Sequence, residues 1–337
     1  MKIKDIAQRA GVSTATVSNV INGNYSRVSQ STVEKVQKII EELGYNPSAA
    51  ARSLASKESK IIGVVIPNLN ENQVFSINAY TNQAVARLEK YVRNKGYYLM
   101  VRCVERCKEI VPIFSSWNAD GAIILGAFPE EVAEMEKLLK IPTVYMDAHS
   151  PDLDIANVGI DDYKGGFLMG RYLLAKGHRK IALVTPMVDS HGVVQARYQG
   201  FCDALKEQGM EFLPDDIYIA ATNATSGAQA GVNIALSGKP YTAVAAMSDM
   251  SALGVMSGLR TCGIHVPEDI SIMGFDNLEA GKYVYPALTT IAQDIEKKCD
   301  TAGDILFRMI ESKEKIVTNE VLDIELVERQ SVIPVKK

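Results

Sequence analysis

Between Ser13 and Asn19 the chain reads "STATVSN", which sets four hydroxyls and one amide within seven residues. Short side chains of this kind donate and accept hydrogen bonds close to the backbone, and they suit phosphate oxygens or base edges. Val17, Val20 and Ile21 share one face of a helix. Projection at about 100° per residue then turns Ala15, Ser18, Asn19 and Asn22 outward and leaves Thr14 in the first turn. A major groove about 12 Å wide admits a helix whose outward side chains do not hold its backbone away. Two readings follow from these residues. One is the groove-entering second helix of a helix-turn-helix; the other is a solvated three-helix cap.

Catalysis finds no comparable footing. His149, His178, His191 and His265 are scattered, with no Ser-His-Asp spacing, phosphate loop or metal cluster around them. The five cysteines, Cys103, Cys107, Cys202, Cys262 and Cys299, are odd in number and form no disulfide framework. Cys103 and Cys107 stand four apart, but nothing completes a metal site, so reduced thiols and no metal or cofactor are expected.

The elements that must position the polar stretch are short helices. Ile3, Ile6, Ala7 and Ala10 form one apolar stripe, Gly11 breaks it, and Ser13 is placed to cap the next helix. Asn22-Gly23-Asn24 ends that second helix. A third is expected to open at Ser31 with Glu34 as its capping box, to bury Val33, Val36, Ile40 and Leu43, and to stop at Gly44. "NPSAAARSLASKES", residues 46–59, has a helical start and an alanine run but is too short to be a stable helix alone.

From Lys60 onward strands and helices alternate. "IIGVVIP", "YYLMVRCV", "DGAIILGA" and "PTVYMD" form one series; a second begins near Asn157 with "NVGID" and continues through "KIALVT", "IYIAA", "YTAVAAM" and "ISIMGFD". This predicts an α/β body of two doubly wound parallel sheets. Neither series carries a Gly-x-Gly-x-x-Gly after its first strand, and "GGFLMG" at 165–170 has the wrong spacing and lies in a helical stretch, so a dinucleotide site is disfavoured. Ligands in such sheets sit beyond the carboxyl ends of the strands. Asp147, Asp161, Asp249 and Asp276 stand there, with Arg197 in the helix after "KIALVT" and Gln293 after "TTIA". Such groups hold a polyol or ribose through paired donors and acceptors. An aspartate at a strand end also commonly caps the next helix, which is the favoured reading for Asp161 and Asp249.

Charge divides along the same line. Through Lys60 there are nine Lys and Arg against five Asp and Glu, whereas the whole chain carries a net charge of −4. A basic head on an acidic body points to nucleic-acid contact by the head. No apolar run is long enough to span a membrane. The opening "MKIKDIAQRA" carries charges throughout, so no secretion signal is expected and the cytoplasm is the expected compartment.

The segments "IKDIAQRAGVSTATVSNVINGN", "VSQSTVEKVQKIIEELGYNPSAAARSLAS", "GGFLMGRYLLAKGHRKIALVT", "ARYQGFCDAL", "SDMSALGVMSGLRTCGIHVPEDISIMGFDN" and "PALTTIAQD" together resemble the lactose-repressor/purine-repressor (LacI/GalR) family of bacterial transcription regulators, over nearly the whole chain. The resemblance implies a helix-turn-helix headpiece at 1–45, a hinge helix at 46–59, and an effector-binding body of periplasmic-binding-protein type at 60–337. Its lobes would span about 60–160 with 292–320, and about 161–291 with 321–337. By the same resemblance Thr14, Ala15 and Asn19 match base-reading positions, Ser13, Thr16 and Ser18 match phosphate-contacting or capping positions, and Leu54 matches a leucine wedged into the minor groove. Arg197 and Asp276 match the strongest effector contacts, Asp147, Asp249 and Gln293 weaker ones, and Phe75 a stacking position. The implied partners are a palindromic DNA operator, a second copy of the chain, and a sugar, sugar phosphate or nucleoside or base. An enzyme or a secreted solute-binding protein is the alternative, and the basic headpiece argues against both.

Three positions depart from the family pattern. Ala55 stands where some relatives carry a lysine, and Ser248 where some sugar-responsive members carry asparagine. The short "ERCKEIVPIFSSWNA", with Pro112 and Trp117, puts a local helix before "DGAIIL" in doubt.

Overall fold

The structure is a computed structural model, and it describes residues 3–21, 23–45, 58–67, 79–148, 150, 152–188 and 192–335. The chain divides into two compact units, one comprising Met1–Lys60 with Trp117–Ala119 and the other Ile61–Ser116 with Asp120–Lys337.

In the first unit α1 (Ile3–Ala10), α2 (Thr14–Ile21) and α3 (Gln30–Glu42) enclose Ile6, Ala7, Ala10, Val17, Val20, Val33, Val36 and Ile39. Gly11 takes a φ of 68°, which lets the chain turn between α1 and α2. Ser13 caps α2 by accepting the Thr16 N–H at 3.1 Å. The cap of α3 differs from the expected one. Ser29, in extended conformation, accepts from the Thr32 N–H, and Glu34 accepts instead from Gln30 Nε2 at 3.1 Å. Of the expected buried residues Val33 and Val36 are buried, but the third position on that face is Ile39, and Ile40 and Leu43 are half-buried. Residues 46–57 of the hinge segment, including Leu54 and Ala55, lie outside the described residues, as do Asn22 and Phe75.

In the second unit the first sheet contains β1 (Ile61–Ile66), β2 (Tyr98–Cys103), β3 (Gly121–Leu125), β4 (Thr143–Met146), β5 (Ala156–Ile160) and β11 (Thr318–Leu322). The second contains β6 (Ile181–Thr185), β7 (Ile217–Ile219), β8 (Ala243–Ala246), β9 (Ser271–Asp276), β10 (Thr289–Gln293) and β12 (Ile324–Val327). Strand order is β11-β5-β4-β3-β1-β2 in the first and β12-β10-β9-β8-β6-β7 in the second. All pairings are parallel except β10 with β12.

Helices α4 (Ala79–Asn94), α5 (Ile110–Trp117), α6 (Pro129–Leu138) and α12 (Ile295–Ser312) belong with the first sheet, α4 and α12 sharing its core with Ile62, Val64, Ile123 and Val144. Helices α7 (Asp162–Ala175), α8 (Val193–Lys206), α9 (Ala224–Leu236), α10 (Asp249–Thr261) and the short α11 (Ala280–Tyr283) belong with the second, whose two apolar faces pack separately. The chain passes between the sheets after β5, after β10 and between β11 and β12.

Two expectations are corrected here. The strand in "NVGID", read from alternation as opening the second series, lies in the first sheet between β4 and β11, on the side of the lobe boundary near 160 that the resemblance implies. Alternation along the chain records order and is silent on which sheet a strand joins. The doubted segment also forms α5, because Pro112 occupies the first helical turn, where a backbone N–H has no intrahelical partner.

His178 ties down the end of the chain. Its Nε2 lies 3.0 Å from the Ile333 carbonyl, which only accepts, so Nε2 carries the proton and Nδ1, 3.0 Å from Thr242 Oγ1, accepts. Burial lowers the pKa of this ring below the ordinary histidine value. A lowered folded-state pKa means a contribution present above about pH 6.5 and lost as pH falls. Urea unfolding of parent and His178→Gln should therefore show the parent's stability, measured relative to the variant's, declining from pH 7.5 to 5.5.

Candidate nucleic-acid interface and ligand cleft

On α2, Thr14 and Ala15 are exposed, Ser18 and Asn19 are half-buried, and Val17 and Val20 face the core. Ser13 and Thr16 are engaged with each other, hydroxyl to hydroxyl at 2.9 Å, in addition to the cap. Among the described residues the side chains of Thr14 and Asn19 make no hydrogen bond within the unit. The outward face of α2 therefore offers a hydroxyl, a methyl and a carboxamide, with the helix start beside them.

The carboxyl ends of β4, β9 and β10 bring the body candidates together. Arg197 projects from α8; its Nε donates to Asp162 Oδ1 at 2.8 Å and its Nη1 to the Met247 carbonyl at 3.0 Å. Its guanidinium lies over the Phe275 ring, 3.7 Å from the centroid, and Nη1 stands 4.0 Å from Asp276 Oδ1. Asp276 ends β9 with a φ of 118°, a costly conformation for a non-glycine residue that persists where its surroundings hold it. It accepts Gln293 Nε2 on Oδ1 at 2.6 Å. Gln293 Oε1 accepts Lys298 Nζ at 2.6 Å, and that ammonium also donates to Asp147 Oδ1 at 2.7 Å. Tyr80 Oη donates to Asp147 Oδ2 at 2.6 Å. A polar chain thus runs from Tyr80, Asp147 and Lys298 beside the first sheet to Gln293, Asp276, Arg197 and Asp162 beside the second. Among the described residues, Arg197 Nη2 and Asp276 Oδ2 take no hydrogen bond.

Burial pushes the Asp276 carboxyl up to about 6, against the opposing pull of Arg197, Gln293 and Lys298. Burial and then Asp276 raise Asp249 as well. Tyr80 is raised well above its ordinary value by burial and by Asp147.

Asp249 is placed differently from the expected effector contact. It is 0% exposed; Oδ1 accepts the Thr290 hydroxyl at 2.6 Å and Oδ2 the Leu278 N–H at 2.7 Å. It braces the loop after β9 from within. Nor does it cap its helix: Ser248 does so, accepting the Ser251 N–H at 3.1 Å. Asp161 does cap α7, through the Lys164 N–H at 2.8 Å.

The glycines of "GGFLMG" serve helix packing. A methyl group on Gly166 would overlap the Arg197 carbonyl, and one on Gly200 the Tyr163 carbonyl, so α7 and α8 touch backbone to backbone. That contact fixes where Arg197 starts. Gly166→Ala should lower body stability by about 1–3 kcal/mol through overpacking, read as a fall in Tm.

Three members of this chain were not foreseen: Tyr80, Asp162 and Lys298. Lys298 left one signal, a charge on the apolar stripe of α12 between Ile295 and Cys299.

Residues 2–48 match the family described as bacterial regulatory proteins, lacI family, and residues 171–332 match the periplasmic binding protein-like domain. Over 337 residues the chain is 35% identical to the HTH-type transcriptional repressor PurR of Vibrio vulnificus (strain CMCP6), covering 98% of each. The chain belongs to the LacI family. As a LacI-family member it is a DNA-binding transcription regulator, and its fold agrees. A Lac repressor dimer bound to operator and the anti-inducer ONPF matches with a TM-score of 0.87 at 28% identity over 99% of both chains. A LacI-family regulator from Enterococcus faecium with bound ribose matches at 0.70 and 27% identity, over 82% of this chain and 100% of that one. No helix among the described residues of this LacI-family chain is long and apolar enough to cross a membrane.

Proposed function

We propose that this LacI-family regulator is a cytoplasmic, non-enzymatic, dimeric repressor. It reads a palindromic operator through Thr14, Ala15 and Asn19, positions itself on phosphates near Ser13, Thr16 and Ser18, and wedges the minor groove with Leu54. A sugar-like or nucleoside-like solute, held between the lobes by Arg197, Asp276 and Gln293 with Phe75 stacked on it, sets operator affinity. The observation that carries this reading is the Arg197–Asp276 pair at the carboxyl end of β9, in which Nη1 stands 4.0 Å from Oδ1 while Nη2 and Oδ2 take no hydrogen bond among the described residues. Adjacent hydroxyls of a sugar or ribose match one donor beside one acceptor.

A dimer supplies the two half-sites that one headpiece cannot read. Leu253, Met256, Val284 and Tyr285 line an open groove of about 750 Å³ on the body, which suits a second copy.

The test is a thermal-shift panel of ribose, cellobiose, ribose 5-phosphate, adenosine and hypoxanthine, followed by duplex binding with each compound that raises Tm. A solute at a hundred times its Kd adds about 2.7 kcal/mol to stability, enough to read. The expected result is a compound that raises Tm and also changes affinity for a palindromic duplex selected by the protein. Compounds that raise Tm but never change duplex affinity would overturn the regulatory reading.

A further inference from the structure

We propose that Lys298 is a positioning residue that latches the two lobes of the cleft together, and that Asp147 is its internal partner and not a contact for the solute. The proposal builds on the cleft reading given above.

Lys298 is wholly buried on the apolar stripe of α12, against the first sheet. A buried ammonium persists only where its charge is balanced and its protons are bonded. Here all three have acceptors: Asp147 Oδ1, Gln293 Oε1 and, at 3.3 Å, Tyr80 Oη. Tyr80 gives its own proton to Asp147 Oδ2, so both oxygens of Asp147 are taken within the protein. On this side of the cleft the polar groups saturate one another.

The consequence passes through Gln293. A carboxamide has one accepting and one donating end. Lys298 can only donate, so it fixes Oε1 toward itself and turns Nε2 toward Asp276, where it meets Oδ1 at 2.6 Å. That bond is made to the same oxygen that stands 4.0 Å from Arg197 Nη1, so it sets how the Asp276 carboxylate faces the guanidinium. Lys298 thus orients a carboxylate of the second lobe from a helix packed on the first, and it does so through a crossover strand, β10. A lysine that merely filled the core of its own lobe would leave Asp276 unaffected.

Hydrogen exchange on the full chain, with no solute added, separates the two roles. In Lys298→Met, amides at the end of β4 (146–148) and at the end of β9 (275–278) should exchange about tenfold faster, while β6 stays as in the parent. Asp147→Asn should give the same pattern, and the double variant should add nothing beyond Lys298→Met. Should Lys298→Met fail to fold, Gln293→Leu cuts the link from the other side and keeps the Lys298–Asp147 pair; faster exchange at 275–278 is again expected. Unchanged exchange at 275–278 in the folded variants, or additive effects in the double, would overturn the latch. Because no solute enters the experiment, a failed solute panel with an intact latch counts against the proposed function alone.

Discussion

Replacing Arg197 with alanine is expected to abolish the solute response and to destabilise the body by about 3–5 kcal/mol, the usual cost of removing one partner from a buried charged network. The size follows from what is left behind. Asp162, with its side chain 1% exposed, loses the donor on Oδ1; the Met247 carbonyl loses its partner; and the Phe275 ring loses the cation stacked on it. Asp276 loses the charge that most lowers its pKa, which burial has already raised above the ordinary carboxylate range.

The sign of the pH dependence is then set. A carboxyl whose folded-state pKa lies above its unfolded value favours the native state while protonated, and that contribution is lost as pH rises through the folded pKa. Without Arg197 the gap widens, so the variant should fall further behind the parent at pH 8 than at pH 5. Urea unfolding at the two pH values measures it. Arg197→Lys keeps the charge but not the planar fork that reaches Asp162 and the Met247 carbonyl at once, and it should recover part of the stability and little of the solute response. A folded Arg197→Ala protein with parental stability at pH 8 and a normal thermal shift would remove Arg197 from the site.

Much of this cleft was legible because parallel strands end on one side of their sheet. Asp147, Asp276 and Gln293 could be named from their places after apolar runs, and Arg197 from its place in the following helix, without knowing how the strands were ordered. What local pattern could not supply was pairing over distance. Asp249 stands one residue after Ser248, and both types cap helices; the choice was made by Thr290 and Leu278, some thirty to forty residues on, which draw the carboxylate inward. Lys298 and Tyr80 meet Asp147 from elements far away in the chain, and only a misplaced charge on an apolar stripe hinted at the first of them.

The cap of α3 is a different case. Ser29, Ser31 and Thr32 are all competent caps, and the structure uses the earliest, Ser29, which accepts from the Thr32 N–H. The placement of β5 in the first sheet rests on its pairing with β4 and with β11, a strand more than 150 residues later. No window of sequence contains that partner.

The other large effect is expected at the headpiece. Asn19→Ala should weaken operator binding by about 1–3 kcal/mol for each half-site, and so by about 2–6 kcal/mol for a dimer on a palindrome. A carboxamide can pair bidentately with adenine, whereas the methyl of Ala15 can only pack, most favourably on a thymine methyl. The headpiece itself should be untouched. The Asn19 side chain makes no hydrogen bond among the described residues, and the apolar core lies on the opposite side of α2, at Val17 and Val20. The contrast that matters is between duplexes. A base contact is lost only on the operator, while a phosphate contact is lost on every sequence and lowers the salt slope. Titrations of parent and variant against the selected palindrome and a scrambled duplex, each at two salt concentrations, separate these cases. Loss confined to the palindrome with an unchanged slope assigns Asn19 to base reading; equal loss on both duplexes makes it a backbone contact. No loss on either would leave α2 a solvated cap, the alternative that its small polar side chains admitted from the start.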